Sequence, residues 1–112
     1  MRYFSNLLQG ILEKPELVIG EKSITKMWYF LYGYQSAWLS IKGQNSVDDV
    51  LFEGFQTWVG KRYRMRMSHN WASVILFMEG GSEYRAFDRA KQLWYQYREE
   101  MESLNSQNAK ED

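Results

Sequence analysis

Apolar residues recur along this chain at spacings of three and four, the period of an α-helix with one face turned inward. Tyr3, Phe4, Leu7, Leu8, Ile11 and Leu12 trace such a face over residues 2–13. Pro15 ends it, because a proline ring cannot continue a helix from within. Leu17, Val18, Ile19 and Gly20 read as an extended or turn-like connection: the run is brief, partly β-branched and closed by a glycine free to adopt positive φ. Ser23 then stands as an N-cap for a second helix from Ile24 to about Ile41. On it Met27, Leu31, Tyr34 and Trp38 form one stripe, while Trp28, Phe30, Tyr32 and Leu39 fall elsewhere. Apolar residues therefore cover most of its circumference, which predicts a central helix touched from several sides. Gly33, at a cost of about 1 kcal/mol relative to alanine, suggests close approach of another helix there.

The polar loop from Lys42 to Ser46 ends that helix, and Asp48 and Asp49 open a third, their negative charges suited to a helix N-terminus. Its inward face is Leu51, Phe52, Phe55, Trp58, Val59 and Tyr63. Ser68 or Asn70 can cap a short fourth helix carrying Trp71, Val74, Ile75, Leu76 and Phe77. The same β-branched burst could be a buried strand, but no second strong strand exists to pair with it. Gly80 and Gly81 break the chain, Ser82 caps the last helix and Glu83 sits in its first turn. Phe87, Ala90, Trp94, Tyr97, Met101 and Leu104 carry one narrow stripe along it. Residues 105–112 are polar and without period, and are expected to be disordered. The expectation is an all-α single compact domain of about five helices over residues 1–104, with an aromatic-rich core.

Composition narrows the chemistry. The absence of cysteine among 112 residues excludes a disulfide scaffold, thiolate metal sites and a cysteine nucleophile, and a single histidine leaves little for an imidazole site. The formal net charge is zero, with 14 basic and 14 acidic side chains, which argues against a protein gripping nucleic acid or an anionic membrane through its overall field. No apolar run approaches the ~20 residues of a membrane span, and no small-residue cleavage site follows the first helix. A cytoplasmic protein without metal or other cofactor is expected. Aromatic residues make up 17% of the chain and must fill a core, a binding face or both.

Few groups could do chemistry. His69 with Asp88, Glu79 or Ser68 could be imagined as a catalytic set, yet nothing in the spacing supports it and a surface or capping histidine is the simpler reading. Asp48, Asp49 and Glu53 could approach a divalent cation, but such a site needs six or more oxygens from an ordered loop. Gly80-Gly81-Ser82 lacks the lysine and spacing of a phosphate-binding loop. Lys61, Arg62, Arg64 and Arg66 around Tyr63 form the best nucleic-acid candidate, set against the simpler role of cations at a helix C-terminus. The exposed acids, including Glu99, Glu100 and Glu102, could instead complement a basic partner.

Lys14-Pro15, Ile19-Gly20 with Ser23, Phe30-Leu31-Tyr32-Gly33-Tyr34, Phe55 with Trp58-Val59 and Tyr63, and Ser68 with Trp71, Ile75-Leu76-Phe77 and Ala86-Phe87 follow in an order with its own interest. Together, over about residues 12–97, they resemble a family of small bacterial immunity proteins of contact-dependent growth inhibition and other polymorphic toxin systems. Glu16-Leu17-Val18 departs from the glycine-methionine-tyrosine often found before the isoleucine-glycine pair, and the last helix has fewer aliphatics. The resemblance implies a cytosolic antidote that binds a cognate protein toxin and has no catalysis of its own. Matching positions are nearly all apolar or glycine, so architecture transfers and contact residues do not. If the toxin is a nuclease with a basic cleft, Asp48, Asp49, Glu53, Glu79 and Glu83 are the expected contacts.

Overall fold

The computed structural model describes the backbone of residues 3–42, 49–66 and 69–111, with side chains for all of these except 3–5, 42, 49–53 and 107–111. Within them the helices are α1 (Tyr3–Glu13), α2 (Pro15–Val18), α3 (Ile24–Lys42), α4 (Asp49–Tyr63), α5 (Trp71–Met78) and α6 (Glu83–Glu111). No described residue lies in a strand. The expected all-α domain is present, with one helix more than the pattern suggested.

The addition is α2. Pro15 both ends α1 and occupies the first turn of α2, where its fixed φ suits the helix and its missing N–H leaves nothing unsatisfied. The N–H groups of Ile19 and Gly20 both donate to the Pro15 carbonyl, at 2.8 and 3.2 Å, and Gly20 turns the chain away with φ of 87°. Leu17 and Val18 are thus helical, and the extended reading of this segment is corrected. At α5 the cap is Asn70, whose side chain accepts the Ser73 N–H at 2.8 Å; Ser68 lies outside the described residues. Ser82 caps α6, its Oγ accepting the Arg85 N–H at 3.2 Å. Helix α6 runs on to Glu111, past the end expected at Leu104. The added residues contain neither glycine nor proline, and extending an established helix is far easier than starting one.

The core takes Leu8, Ile11 and Leu12 from α1, Ile24, Met27 and Leu31 from α3, Phe55 and Val59 from α4, Trp71 and Ile75 from α5, and Phe87, Ala90, Leu93, Trp94 and Tyr97 from α6. Its centre is aromatic. Phe55 meets Trp71 at 5.0 Å and Trp94 at 5.2 Å edge to face, stacks on Trp58 at 6.0 Å and tilts against Tyr97 at 5.4 Å. Trp71 extends the cluster to α3 through an edge contact with Trp28 at 5.4 Å. The buried indole N–H groups of Trp71 and Trp94 find no hydrogen-bond acceptor among the described residues. Edge-to-face packing sets the positive rim of one ring against the negative face of another and partly compensates them.

Helix α3 packs against α1, α5 and α6 as its composition suggested, but it is not enclosed all round. Ile24, Met27 and Leu31 are buried, but Tyr29 is 68%, Tyr32 58% and Ile41 78% exposed. With 5 Trp, 8 Tyr and 6 Phe in so short a chain, the interior cannot enclose every ring, and the rings of α4, α5 and α6 occupy it first. Gly33 sits on this outer side with open space where a Cβ would stand, so no helix approaches it among the described residues. Close approach occurs at Gly54, where a Cβ would meet the Tyr97 hydroxyl at 2.5 Å.

The two glycines should respond oppositely to one methyl group. Gly33→Ala should raise the unfolding free energy by about 0.5–1 kcal/mol through helix propensity, whereas Gly54→Ala should lower it by about 1–3 kcal/mol by overpacking against Tyr97. Urea titrations of both variants measure this, and equal shifts in the two would contradict the packing described.

Candidate functional site

Of the acids expected to contact a partner, Asp48 lies outside the described residues, and Asp49 and Glu53 are described only as backbone in the first turns of α4. The other two are placed in full, on either side of the α5–α6 turn. Glu79 ends α5, its carboxylate 3.5 Å from Arg89 Nε and its backbone carbonyl accepting Arg85 Nη2 at 3.0 Å. Glu83 reaches to the start of α3. Its Oε1 accepts the Thr25 N–H and the Ser23 hydroxyl, both at 2.9 Å, and its Oε2 accepts the Thr25 hydroxyl at 2.6 Å. Ser23 Oγ in turn accepts the Lys26 N–H at 3.1 Å. Ser23 is therefore the cap that the sequence suggests, completed by a carboxylate from 60 residues away. Beside it Lys22 Nζ pairs with Asp88 at 3.1 Å and lies over the Tyr84 ring at 4.5 Å.

Desolvation pushes the Glu83 carboxyl upward, but the hydrogen bonds from Thr25 and Ser23 and the backbone of Ile24 outweigh it and hold the group below its ordinary value of 4.5. The Asp88 hydrogen bond likewise raises the Lys22 ammonium above its ordinary range. Both arrangements fasten α3 to α6.

Two surfaces present exposed side chains to solvent. The first is the outer side of α3, where Tyr29 and Tyr32 are exposed and Phe30 and Tyr34 stand 39% and 38% open. Tyr32 rests on Trp28 at 6.4 Å, so this surface continues into the aromatic core. At the end of α5, Phe77 is exposed as well.

The second surface is the C-terminal end of α4. Lys61, Arg62, Arg64 and Arg66 are all exposed, and none forms an ion pair among the described residues. Lys22, Lys26, Arg89 and Arg98 each have a carboxylate partner. The helix closes with the Met65 N–H on the Gly60 carbonyl at 3.0 Å and the Arg64 N–H on the Lys61 carbonyl at 3.2 Å. Helix α5 closes the same way, Gly81 on Leu76 at 2.8 Å and Gly80 on Phe77 at 3.1 Å. In α5 the left-handed position is glycine (Gly80, φ 68°); in α4 it is Arg64, with φ of 54°. Holding an L-residue there costs roughly 1 kcal/mol. Against this turn lies an open cleft of about 540 Å³ lined by Gln56, Thr57, Gly60, Lys61, Arg64 and Met65.

His69 is exposed, and its backbone carbonyl accepts Gln56 Nε2 at 2.7 Å, while Gln56 Oε1 accepts the Trp71 N–H at 2.7 Å. Two of the groups considered with it are paired elsewhere, Asp88 with Lys22 and Glu79 with Arg89, and Ser68 lies outside the described residues. Among the described residues no group of three or more His, Asp or Glu side chains could hold a metal ion, and no helix is long and apolar enough to cross a membrane. No protein-family model, curated protein or solved structure matches this chain.

The cap at α3 makes stability depend on pH. A carboxyl whose folded pKa lies below its unfolded one contributes fully above the unfolded value and loses that contribution as pH falls through the folded value. Glu83→Gln should therefore be less stable than the parent by about 1–2 kcal/mol near pH 7, and the gap should narrow below the ordinary carboxyl value of 4.5. Thermal melts across pH check this, and a gap that is constant with pH would show that the charge is not what stabilises the cap.

Proposed function

We propose that this chain is a binding protein of the immunity type, which neutralises a cognate protein toxin by stoichiometric occlusion without catalysis of its own. The observation that carries this reading is the outward aromatic side of α3. Exposed tyrosines on a rigid helix supply large amphipathic contact area with few rotatable bonds, and such residues dominate binding energy at protein interfaces. Tyr29 and Tyr32 are one turn apart and open to solvent, and Tyr32 is backed by Trp28, which packs against the core. The order of motifs shared with small immunity proteins adds the class of partner. About 800 Å² per partner suffices for a standard interface, an area within reach of one face of a domain this size.

On this reading the acidic residues Asp48, Asp49 and Glu53 speed association if the toxin is a nuclease with a basic cleft. Glu79 and Glu83 have work inside the fold, so reversing their charge would disturb α3 and α6 before it disturbed a partner.

The test is co-expression with a candidate toxin domain, should an open reading frame upstream of this chain's gene end in one. Rescue of growth and co-purification of a one-to-one complex are the expected outcomes. Tyr29→Ala with Tyr32→Ala should leave the melting temperature within about 3 °C of the parent, both rings being exposed, and should weaken the complex by about 2 kcal/mol or more. A folded double variant that rescues as well as the parent would remove α3 from the interface, and failure of the parent to rescue would remove the antidote reading.

A further inference from the structure

The unpaired cations at the end of α4 call for an explanation that fold stability does not give. Cations near a helix C-terminus favour the macrodipole, but two of the last carbonyls, those of Lys61 and Gly60, are already engaged by the Arg64 and Met65 N–H groups. Arg64 also occupies the left-handed position that glycine fills at the end of α5, so the backbone gains nothing from a side chain there. Each property becomes intelligible if the guanidinium is needed for something outside the fold.

The cleft beside it defines what that something looks like. Lys61 in the last turn of α4 and Arg64 just beyond its end both line the cleft. Gly60, Met65 and Thr57 give a largely apolar lining, and the amide of Gln56 is already engaged by His69 and Trp71. About 540 Å³ falls within the size range of small-ligand clefts. An occupant must bring negative charge for the rim and hydrocarbon for the floor, on a short scale.

A nucleic acid strand fits poorly. Its phosphates need a continuous basic track, and the cleft itself is lined by two cations, Lys61 and Arg64. A short peptide segment rich in aspartate or glutamate fits better. Its carboxylates can bind the Arg64 fork in bidentate fashion and Lys61 as a point charge, while its methylene stems lie over Met65.

We infer that the cleft formed by Thr57, Gly60, Lys61, Arg64 and Met65 is a docking site for a short acidic segment of a partner protein. The assignment stands on this end of α4 alone and does not require the partner to be a toxin.

Titration of the isotopically labelled protein with hexaglutamate, hexalysine and a hexathymidylate oligonucleotide, followed by amide NMR, tests it. Hexaglutamate should shift the amides of Thr57, Lys61, Arg64 and Met65, and the effect should fade at about 0.3 M salt. Hexalysine should leave these amides in place. Arg64→Gly should keep the melting temperature within about 3 °C of the parent, since glycine suits that backbone, and should weaken hexaglutamate binding by about fivefold or more. Shifts scattered over the surface, an Arg64→Gly variant that binds hexaglutamate undiminished, or hexathymidylate binding more tightly at the same amides would each overturn the assignment. The last result would give the site to nucleic acid. Growth rescue by the toxin assay is unaffected by any of these outcomes, so the two readings fail separately.

Discussion

The phenyl ring of Phe55 sets the geometry on which the other helices depend. It leaves α4 and meets Trp71 of α5 and Trp94 and Tyr97 of α6, while Trp71 passes the contact on to Trp28 of α3. Aliphatic side chains could fill the same volume, but they have no preferred mutual angle. Aromatic rings do, because their faces and rims carry opposite partial charge, and each well-oriented pair adds about 0.5–1.5 kcal/mol beyond the area it buries. Against a total stability of about 5–15 kcal/mol for a domain, several such pairs around one ring fix the rotation of α4 about its own axis. That rotation places Gly54 against Tyr97.

Elements governed by neighbours in sequence were legible before the structure. The stripe from Phe87 to Tyr97 is buried as its spacing implies, and Ser82 and Ser23 cap the helices they precede. What escaped was decided at a distance. The richness of α3 in tyrosine and tryptophan says that the helix is apolar all round, but which rings reach the interior depends on how much interior α4, α5 and α6 leave. Gly33 and Gly54 look alike in a helical pattern, and only the position of Tyr97 separates them. Pro15 misled differently: its reading as a terminator was right for α1 and overlooked that the same ring starts α2.

The candidate site was legible in part for the same reason. The basic run from Lys61 to Arg66 is conspicuous in the sequence, yet whether cations are neutralised by the fold depends on carboxylates elsewhere in the chain. A formal charge of zero conceals an uneven distribution. Paired charges gather where α3 meets α6, through Lys22 and Asp88, with Glu83 in the cap, and uncompensated positive charge collects at the end of α4. The acids of Glu79 and Glu83, which as sequence look free for a partner, belong to the first group.

The carboxylate that completes the α3 cap has a consequence for how the chain assembles. Ser23 and Glu83 are 60 positions apart, and Lys22 and Asp88 are 66, so the Thr25 N–H gains its acceptor only after a long loop has closed, whereas the Lys26 N–H is capped locally by Ser23. A helix end that waits on so distant a residue is ordered late along the folding route, and its contacts tell on the rate of unfolding more than on the rate of folding. The region where the two helix starts meet is thus joined by residues distant in sequence as well as by the local Ser23 cap.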